Sequence, residues 1–367
     1  MKYRVTCLTP TLVGDGQKLA PIDYMVWKDH VNVLDQRRIF RLLAKGPRLE
    51  GYLAQLKKAE KLDFASWGGF AQNFAGRRLP FEHASSVPLY ERAHAADLFI
   101  PTFATNASGP YLPATALKGA LRTGSVFDRW TENTMRELAE RAEERVPRYF
   151  ASKAEDAALG GSSGSSRMRR VSVADSGVIA YSGMKVYLLR TATLVAKGAE
   201  KFELGWKSQR GSVDARRVDD STLLFAEMAS PGTAFDGNWR ERSEGDRVKM
   251  FQASNRYAEG QLARHREYAQ RTGMSKLTAK LDQLEARLAE VRATRHACLL
   301  SIGWGGGLLG KSAYLKTEDD AYRKILRQMP LYQRAIQTGM PFPKTRRIIF
   351  EGNQPASLPG WVMLEVG

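Results

Sequence analysis

Gly305 to Ser312, GGGLLGKS, satisfies the phosphate-binding pattern G-x-x-x-x-G-K-[ST] letter for letter. The apolar run Cys298 to Ile302 precedes it, as the strand before such a loop would. In that chemistry backbone amides cradle phosphates, Lys311 reaches the terminal phosphates and Ser312 holds magnesium. Too little chain follows Ser312 for the rest of a nucleotide-hydrolysing sheet, and no later apolar strand ends in an acidic residue suited to magnesium. The expectation is therefore phosphate binding through clustered N–H groups at Gly305, Gly306 and Gly307 with Lys311, the ligand being a phosphodiester backbone. NTP hydrolysis is the least favoured reading.

A second string, YLPATALKGALRT from Tyr111 to Thr123, turns from an extended segment at Pro113 into a helix with Thr115 as the expected N-cap. Lys118 and Arg122 stand four residues apart and share one helix face. Two cations beside a helix N-terminus suit a phosphate, because free N–H groups and the dipole add to the side-chain charge. An ordinary amphipathic helix with two solvated cations is the plain alternative. Basic clusters recur at Arg37/Arg38, Arg77/Arg78, Arg167/Arg169/Arg170, Arg216/Arg217 and Lys344/Arg346/Arg347. Singly each reads as a solvated patch; together they suggest one lined groove. Trp67, Phe70, Phe74 and Trp304 could stack on unpaired bases, although core packing is the commoner fate of Phe70 and Phe74. No RNP-type aromatic signature occurs, so backbone and shape, not base identity, are the expected targets.

The five histidines, His30, His83, His94, His265 and His296, form no metal-ligand pair. His265 and His296 fall in charged helices and are expected to be solvated. His30 with Lys118 could in principle supply the base and cation of a metal-independent ribonuclease; an ordinary surface histidine is the plainer reading.

The composition fits these candidates. The chain has 367 residues, 43% apolar and 26% charged, enough for two domains with real cores. Lys and Arg number 56 against 39 Asp and Glu, a net charge of +17 that attracts polyanions. No apolar stretch suggests a membrane span, and the N-terminus lacks a secretory core. Two cysteines, Cys7 and Cys298, exclude a disulfide framework and a Cys-rich zinc site, which suits a reducing cytoplasm.

The elements that must position these groups follow from local pattern. Strands are expected at Arg4–Leu8, Val31–Leu34, Arg170–Ala174, Met184–Val195, Leu223–Ala229, Cys298–Ile302, Arg346–Phe350 and Trp361–Val366. Asp35 is placed to cap a helix through Ile39 and Leu43, and Thr131–Arg145 reads as a charged helix. Residues 151–166, ending in GGSSGSS, read as a flexible surface loop. Between 240 and 297 the pattern is helical; Leu277, Leu281, Leu284, Leu288 and Val291 form an a/d stripe, and Thr272-Gly273-Met274 breaks it into an antiparallel hairpin. Packing on its own sheet is favoured over a partner-binding coiled coil. Strands and helices alternate without a βαβ rhythm, which predicts an α+β fold.

Several of these pieces resemble one family. Leu8-Thr9-Pro10 with the Gly14/Gly16 turn, the Pro113–Arg122 segment containing Leu117-Lys118-Gly119, the late glycine-rich loop and Pro359-Gly360-Trp361 resemble the RAMP superfamily of CRISPR systems. Their order, with Phe342 to Arg347 (FPKTRR), most resembles the fifth Csm subunits of type III-A effector complexes; Ala114 stands where that family often has glycine. The resemblance implies two ferredoxin-like (RRM-like) domains, drawn at 1–218 and 219–367, the second carrying the helical insertion near 240–297. It implies a non-catalytic subunit that holds the CRISPR guide RNA near its 3′ end and caps a filament of related backbone subunits. No cofactor and no metal are implied. The residues expected to meet RNA are Gly14, Gly16, Arg37, Thr115, Lys118, Arg122, Gly305, Gly306, Gly307, Lys311, Lys344, Arg346 and Arg347. The loop aspartate with which backbone subunits cut target RNA has no confident match; Asp15 and Asp23 are merely acidic residues in that region. A repeat-processing endoribonuclease is the alternative.

Overall fold

The computed structural model describes residues 1–58, 73–142, 150–162, 164–198, 201–208, 214–333, 336 and 341–367. Two larger sheets carry the fold, and every ladder between their strands is antiparallel. The first has the order Ala297–Ser301, Trp361–Val366, Lys2–Cys7, Ala234–Glu241 and Val171–Val173. The second has the order Phe202–Trp206, Met184–Ala196, Thr345–Glu351 and Gln354–Ser357; Leu224–Ala229 also pairs with the long strand Met184–Ala196. A smaller sheet joins Tyr24–Trp27, His30–Leu34 and Ala75–Pro80. The result is a mixed α/β fold built on antiparallel sheets.

The first strand shows why these residues pair as they do. Along Lys2–Cys7, alternate residues Tyr3, Val5 and Cys7 are buried, the period-2 pattern of a strand with one covered face. Its neighbours come from far along the chain: Val5 faces Phe235 on one side and Leu364 on the other. Both larger sheets thus cross the boundary expected between residues 218 and 219. A second crossing ties the two sheets together, where Thr11 and Ala229 exchange backbone hydrogen bonds of 3.0 and 2.8 Å. One apolar core, with Trp239 and Trp361 at its largest side chains, runs through both sheets.

The helical hairpin forms as its pattern predicts. Helix Glu244–Thr272 ends at Gly273 in the left-handed conformation, φ +68°, and helix Ser275–Arg292 returns. All five stripe residues, Leu277 to Val291, are buried in the main core, so the hairpin closes on its own sheets. Asp35 caps helix Gln36–Leu43 by accepting from the Arg38 N–H at 3.0 Å. The segment expected as a flexible loop departs from that reading: Ser152–Ala158 is helical, and Leu159 is buried behind it. The glycine and serine run that suggested mobility begins only after this helix.

Two glycines decide how the chain ends meet. Gly303 has φ +74°, and a Cβ there would stand 2.1 Å from the Leu12 carbonyl oxygen. Gly360 has φ +86°, and its Cβ would stand 2.2 Å from the Ile302 carbonyl oxygen. Gly360→Ala combines a disfavoured φ with a backbone collision, and is expected to destabilise the fold by about 1–3 kcal/mol or more. Denaturant unfolding reads this directly; a midpoint unchanged from the parent would contradict the geometry.

Candidate nucleic-acid interface

After the strand Ala297–Ser301 the chain leaves the sheet and turns through the glycine-rich segment, with no helix before Asp320. Its last three amides serve the loop itself. The Gly310 N–H donates to the Gly306 carbonyl, and the Lys311 and Ser312 N–H groups donate to the Leu308 carbonyl at 3.0 and 2.8 Å. Ser312 Oγ donates to the Tyr314 carbonyl at 2.8 Å and lies 3.0 Å from Tyr322 Oη. A nucleotide-binding P-loop runs from its lysine directly into a helix whose N-terminus faces the phosphates. That helix is missing after Ser312, so the letter-for-letter motif lacks its structural context. Lys311 stays exposed, without an ion pair among the described residues.

The loop separates two clefts. On one side, Thr115, Gly119 and Thr123 of helix Ala114–Phe127 face Gly303, Gly306 and Lys311 across a cavity of about 240 Å³. On the other, Gly305, Gly306 and Gly307 face Thr345, Arg346 and Arg347 across a cavity of about 230 Å³. Gly307 has φ +63° and nothing within 4 Å of a notional Cβ, so the bend is open to an approaching backbone. Gly305, in contrast, is packed tightly against Pro359.

The cations of the second cleft are held unusually. Arg346 is only 9% exposed, and no carboxylate pairs with it among the described residues. Its Nε donates to His265 Nδ1 at 3.1 Å, its Nη1 donates to the carbonyls of Pro343 and Thr345, and its guanidinium lies 4.6 Å over the Tyr268 ring. Burial lowers its pKa to about 10. His265, expected to be solvated, is instead 6% exposed. Burial first, and then Arg346, push its pKa well below the ordinary 6.5, so it stays neutral and accepts through Nδ1. Arg347 lies 4.3 Å over the Trp304 ring, and burial lowers its pKa as well. A desolvated guanidinium without a counter-ion is a strong anion receptor, because any anion entering the cleft supplies the missing charge.

The remaining sequence candidates fall into three groups. Gly14 and Gly16 are exposed in the turn that follows Leu12, whose carbonyl accepts from the Trp304 N–H at 2.7 Å; they therefore adjoin the glycine-rich loop. Lys118 is half-buried on the helix row beside the cleft-lining residues and carries no ion pair among the described residues. Thr115 is not the N-cap. Pro113 holds that position, and the Asp175 carboxylate accepts from the Ala114 N–H at 2.7 Å, so a carboxylate already occupies the helix start. Arg122 pairs with Glu155 at 2.5 Å, and Lys344 pairs with Asp214 at 3.6 Å. Arg37 is exposed on helix Gln36–Leu43 and lines neither cleft.

Other clusters serve the fold. Arg77 forms a bidentate pair with the fully buried Glu227, at 2.7 and 2.9 Å, and Arg78 donates to Asn32. His30 pairs with Asp29 at 2.7 Å in the small sheet, and no hydrogen bond joins it to Lys118. His296 is exposed, as expected, with Nδ1 3.1 Å from Arg247. Asp15 and Asp23 accept from nearby backbone amides. Phe74 is half-buried under Arg38, while Trp67 and Phe70 lie outside the described residues. No group of three or more metal-ligating side chains exists among the described residues. Asp175, His265 and Tyr268 were missed as partners of the site, since each acts across long sequence separations.

The profile of the RAMP superfamily matches residues 4–309. The chain belongs to the RAMP superfamily. Among solved structures, a chain of the cryo-EM Csm–crRNA–target RNA ternary complex of a type III-A CRISPR–Cas system is similar over 100% of both chains, with a TM-score of 0.66 and 17% identity. The crystal structure of T. onnurineus Csm5 is similar over 98% of this chain and 99% of its own, with a TM-score of 0.60 and 16% identity. At these identities the likeness shows the fold. No curated protein matches the chain.

The buried Arg346–His265 contact has a pH signature. The unfolded chain protonates His265 near 6.5 while the folded RAMP chain resists it, so the contribution is present above that value and lost as pH falls below it. Melting temperature between pH 8 and pH 5 is expected to drop for the parent and to drop less for His265→Gln, whose amide oxygen can still accept from Arg346. Parallel curves for the two proteins would remove the contact from that role.

Proposed function

We propose that this RAMP protein is the RNA-holding subunit of a type III-A CRISPR ribonucleoprotein, gripping the guide RNA near its 3′ end and capping the filament of related backbone subunits. The observation that carries the reading is the open glycine bend set between two clefts, with Lys311, Arg346 and Arg347 lining them, Lys118 on the adjoining helix, and no carboxylate paired to any of the four among the described residues. Phosphodiesters suit such a site, since amide-rich turns and unpaired cations both favour anions. Two of the solved structures it resembles, a chain of a Csm–crRNA–target RNA complex and a Csm5, support the choice of assembly. The related backbone subunit is then the chief protein partner. We read the two antiparallel sheets as two ferredoxin-like (RRM-like) units interleaved along the chain. A cytoplasmic location accords with this assembly and with two free, buried cysteines. Among the described residues no helix is long and apolar enough to cross a membrane.

The subunit is read as non-catalytic. Its His30 is engaged by Asp29, away from the clefts, and its P-loop-like string lacks the following helix. Incubation of the purified protein with repeat RNA in EDTA is expected to leave the RNA intact; cleavage that His30→Ala abolishes would establish the nuclease instead. Binding to single-stranded RNA is expected to weaken with salt at a slope of roughly 0.7 per neutralised phosphate. Lys311→Ala and Lys118→Ala should each reduce that slope by up to about 0.7 and weaken binding equally across sequences. A lysine whose removal changes neither quantity does not touch the RNA.

A further inference from the structure

Beyond the two clefts, helix Ala114–Phe127 borders a third and larger cavity, of about 490 Å³, reached along a different row of its side chains. Lys118, Arg122 and Ser125 repeat at helical spacing, and Arg129 continues the row just past the helix end. From Lys118 to Ser125 the row advances about 10 Å along the axis. It begins beside the glycine-loop cleft and ends at the cavity, which Ser125 and Arg129 line.

The cavity has a floor and a rim of different chemistry. Leu159, Met250 and Ala253 are buried beneath it, with Met168 half-buried beside them. Five cations surround this floor. Arg256 is paired with Asp128 at 2.6 Å, and Arg170 with Asp246 at 3.2 Å. Arg129, Arg167 and Lys249 are exposed and carry no ion pair among the described residues, so the rim keeps an excess of three positive charges. The volume is that of a small-molecule site, and an apolar floor below unpaired cations suits one nucleotide: the base lies on the methionine and leucine surface, and the phosphates meet the rim.

We propose that this cavity is a second nucleotide site, occupied by the RNA strand after it leaves the glycine-rich loop and follows the Lys118–Arg129 row. The proposal rests on the RNA-holding reading above and extends it to a defined path. Arg122 stands midway on that row, and its pair with Glu155 places an exchangeable contact there. Sequence recognition is not required of the site, because methionine and leucine accept any base face.

A length series of single-stranded RNA separates the two claims. With the full-length protein, affinity is expected to rise as the oligonucleotide is lengthened past the clefts by two to six nucleotides. In the variant Arg129→Glu/Arg167→Glu/Lys249→Glu that gain should vanish and the salt slope on the long RNA should fall by up to about 2, roughly 0.7 for each lost contact. Binding of the short RNA should remain, whereas Lys311→Ala weakens both lengths. An unchanged length gain and slope in the triple variant would overturn the path while leaving the RNA-holding role intact; failure of the parent to bind either RNA would overturn both. AMP serves as the second probe. AMP binding that the triple variant loses, with RNA affinity unaltered, would reassign the cavity to a free nucleotide and overturn the strand path.

Discussion

Three distant pieces of backbone meet within hydrogen-bonding distance, and the placement of the site depends on that meeting. Trp304 N–H donates to the Leu12 carbonyl, Gly360 N–H to the Pro10 carbonyl, and Ile302 N–H to the Gly360 carbonyl, all between 2.7 and 3.0 Å. Thr9 adds its hydroxyl oxygen as acceptor for the Trp361 N–H at 2.9 Å. The N-terminal turn, the glycine-rich loop and the last strand are thereby locked to one another by main-chain groups. No side chain can intrude where Gly303 and Gly360 stand, which is the physical reason for glycine at both. The bend at Gly305–Gly307, open at Gly307, then projects from a junction held by main-chain hydrogen bonds.

Charge is divided between fold and surface by the same logic of pairing. Arg77, Arg247 and Arg256 are engaged by carboxylates and satisfy elements of the core or its margins. Around the glycine-rich loop the pairing differs: among the described residues Arg346 and Arg347 are withdrawn from water and hold only neutral partners, namely an imidazole, carbonyls and aromatic rings, as does the buried Arg190 on Val218, Ser221 and the Phe350 ring. Such an arrangement has an energetic cost in the empty protein, and a bound anion relieves it. Net positive charge alone would not have distinguished Arg346 and Arg347 from the solvated clusters at Arg216 and Arg217, which pair with Glu203 and Asp219.

Local features were legible in the residues. The Leu277–Val291 stripe with its Gly273 break, the long strand from Met184, the Asp35 cap and the closing strand all follow from periodicity and turn chemistry within a few positions. Features made by distant partners were not. Asp175 caps a helix that begins 61 residues earlier, and nothing local marks it as a cap. His265 sits in a stretch dense in charge, so its pattern reads as solvent-facing; only the approach of the Thr345–Glu351 strand buries it against Arg346. The GKS string is the opposite case: its letters are complete, yet the chain after it already argued against a nucleotide loop, and the helix that would give the letters meaning is missing. Residues 152–158 were obscured by the glycine and serine run behind them, which lowered the apparent order of the whole segment.

The interleaving of the sheets also bears on biosynthesis. Strand Lys2–Cys7 is translated before either of its ladder partners, Ala234–Glu241 and Trp361–Val366, which emerge much later. Until those strands are made, its apolar face, Tyr3, Val5 and Cys7, has no native ladder partner beside it. Pairing across such distances gives the chain high contact order, which makes closure of this sheet a slow, late step of folding.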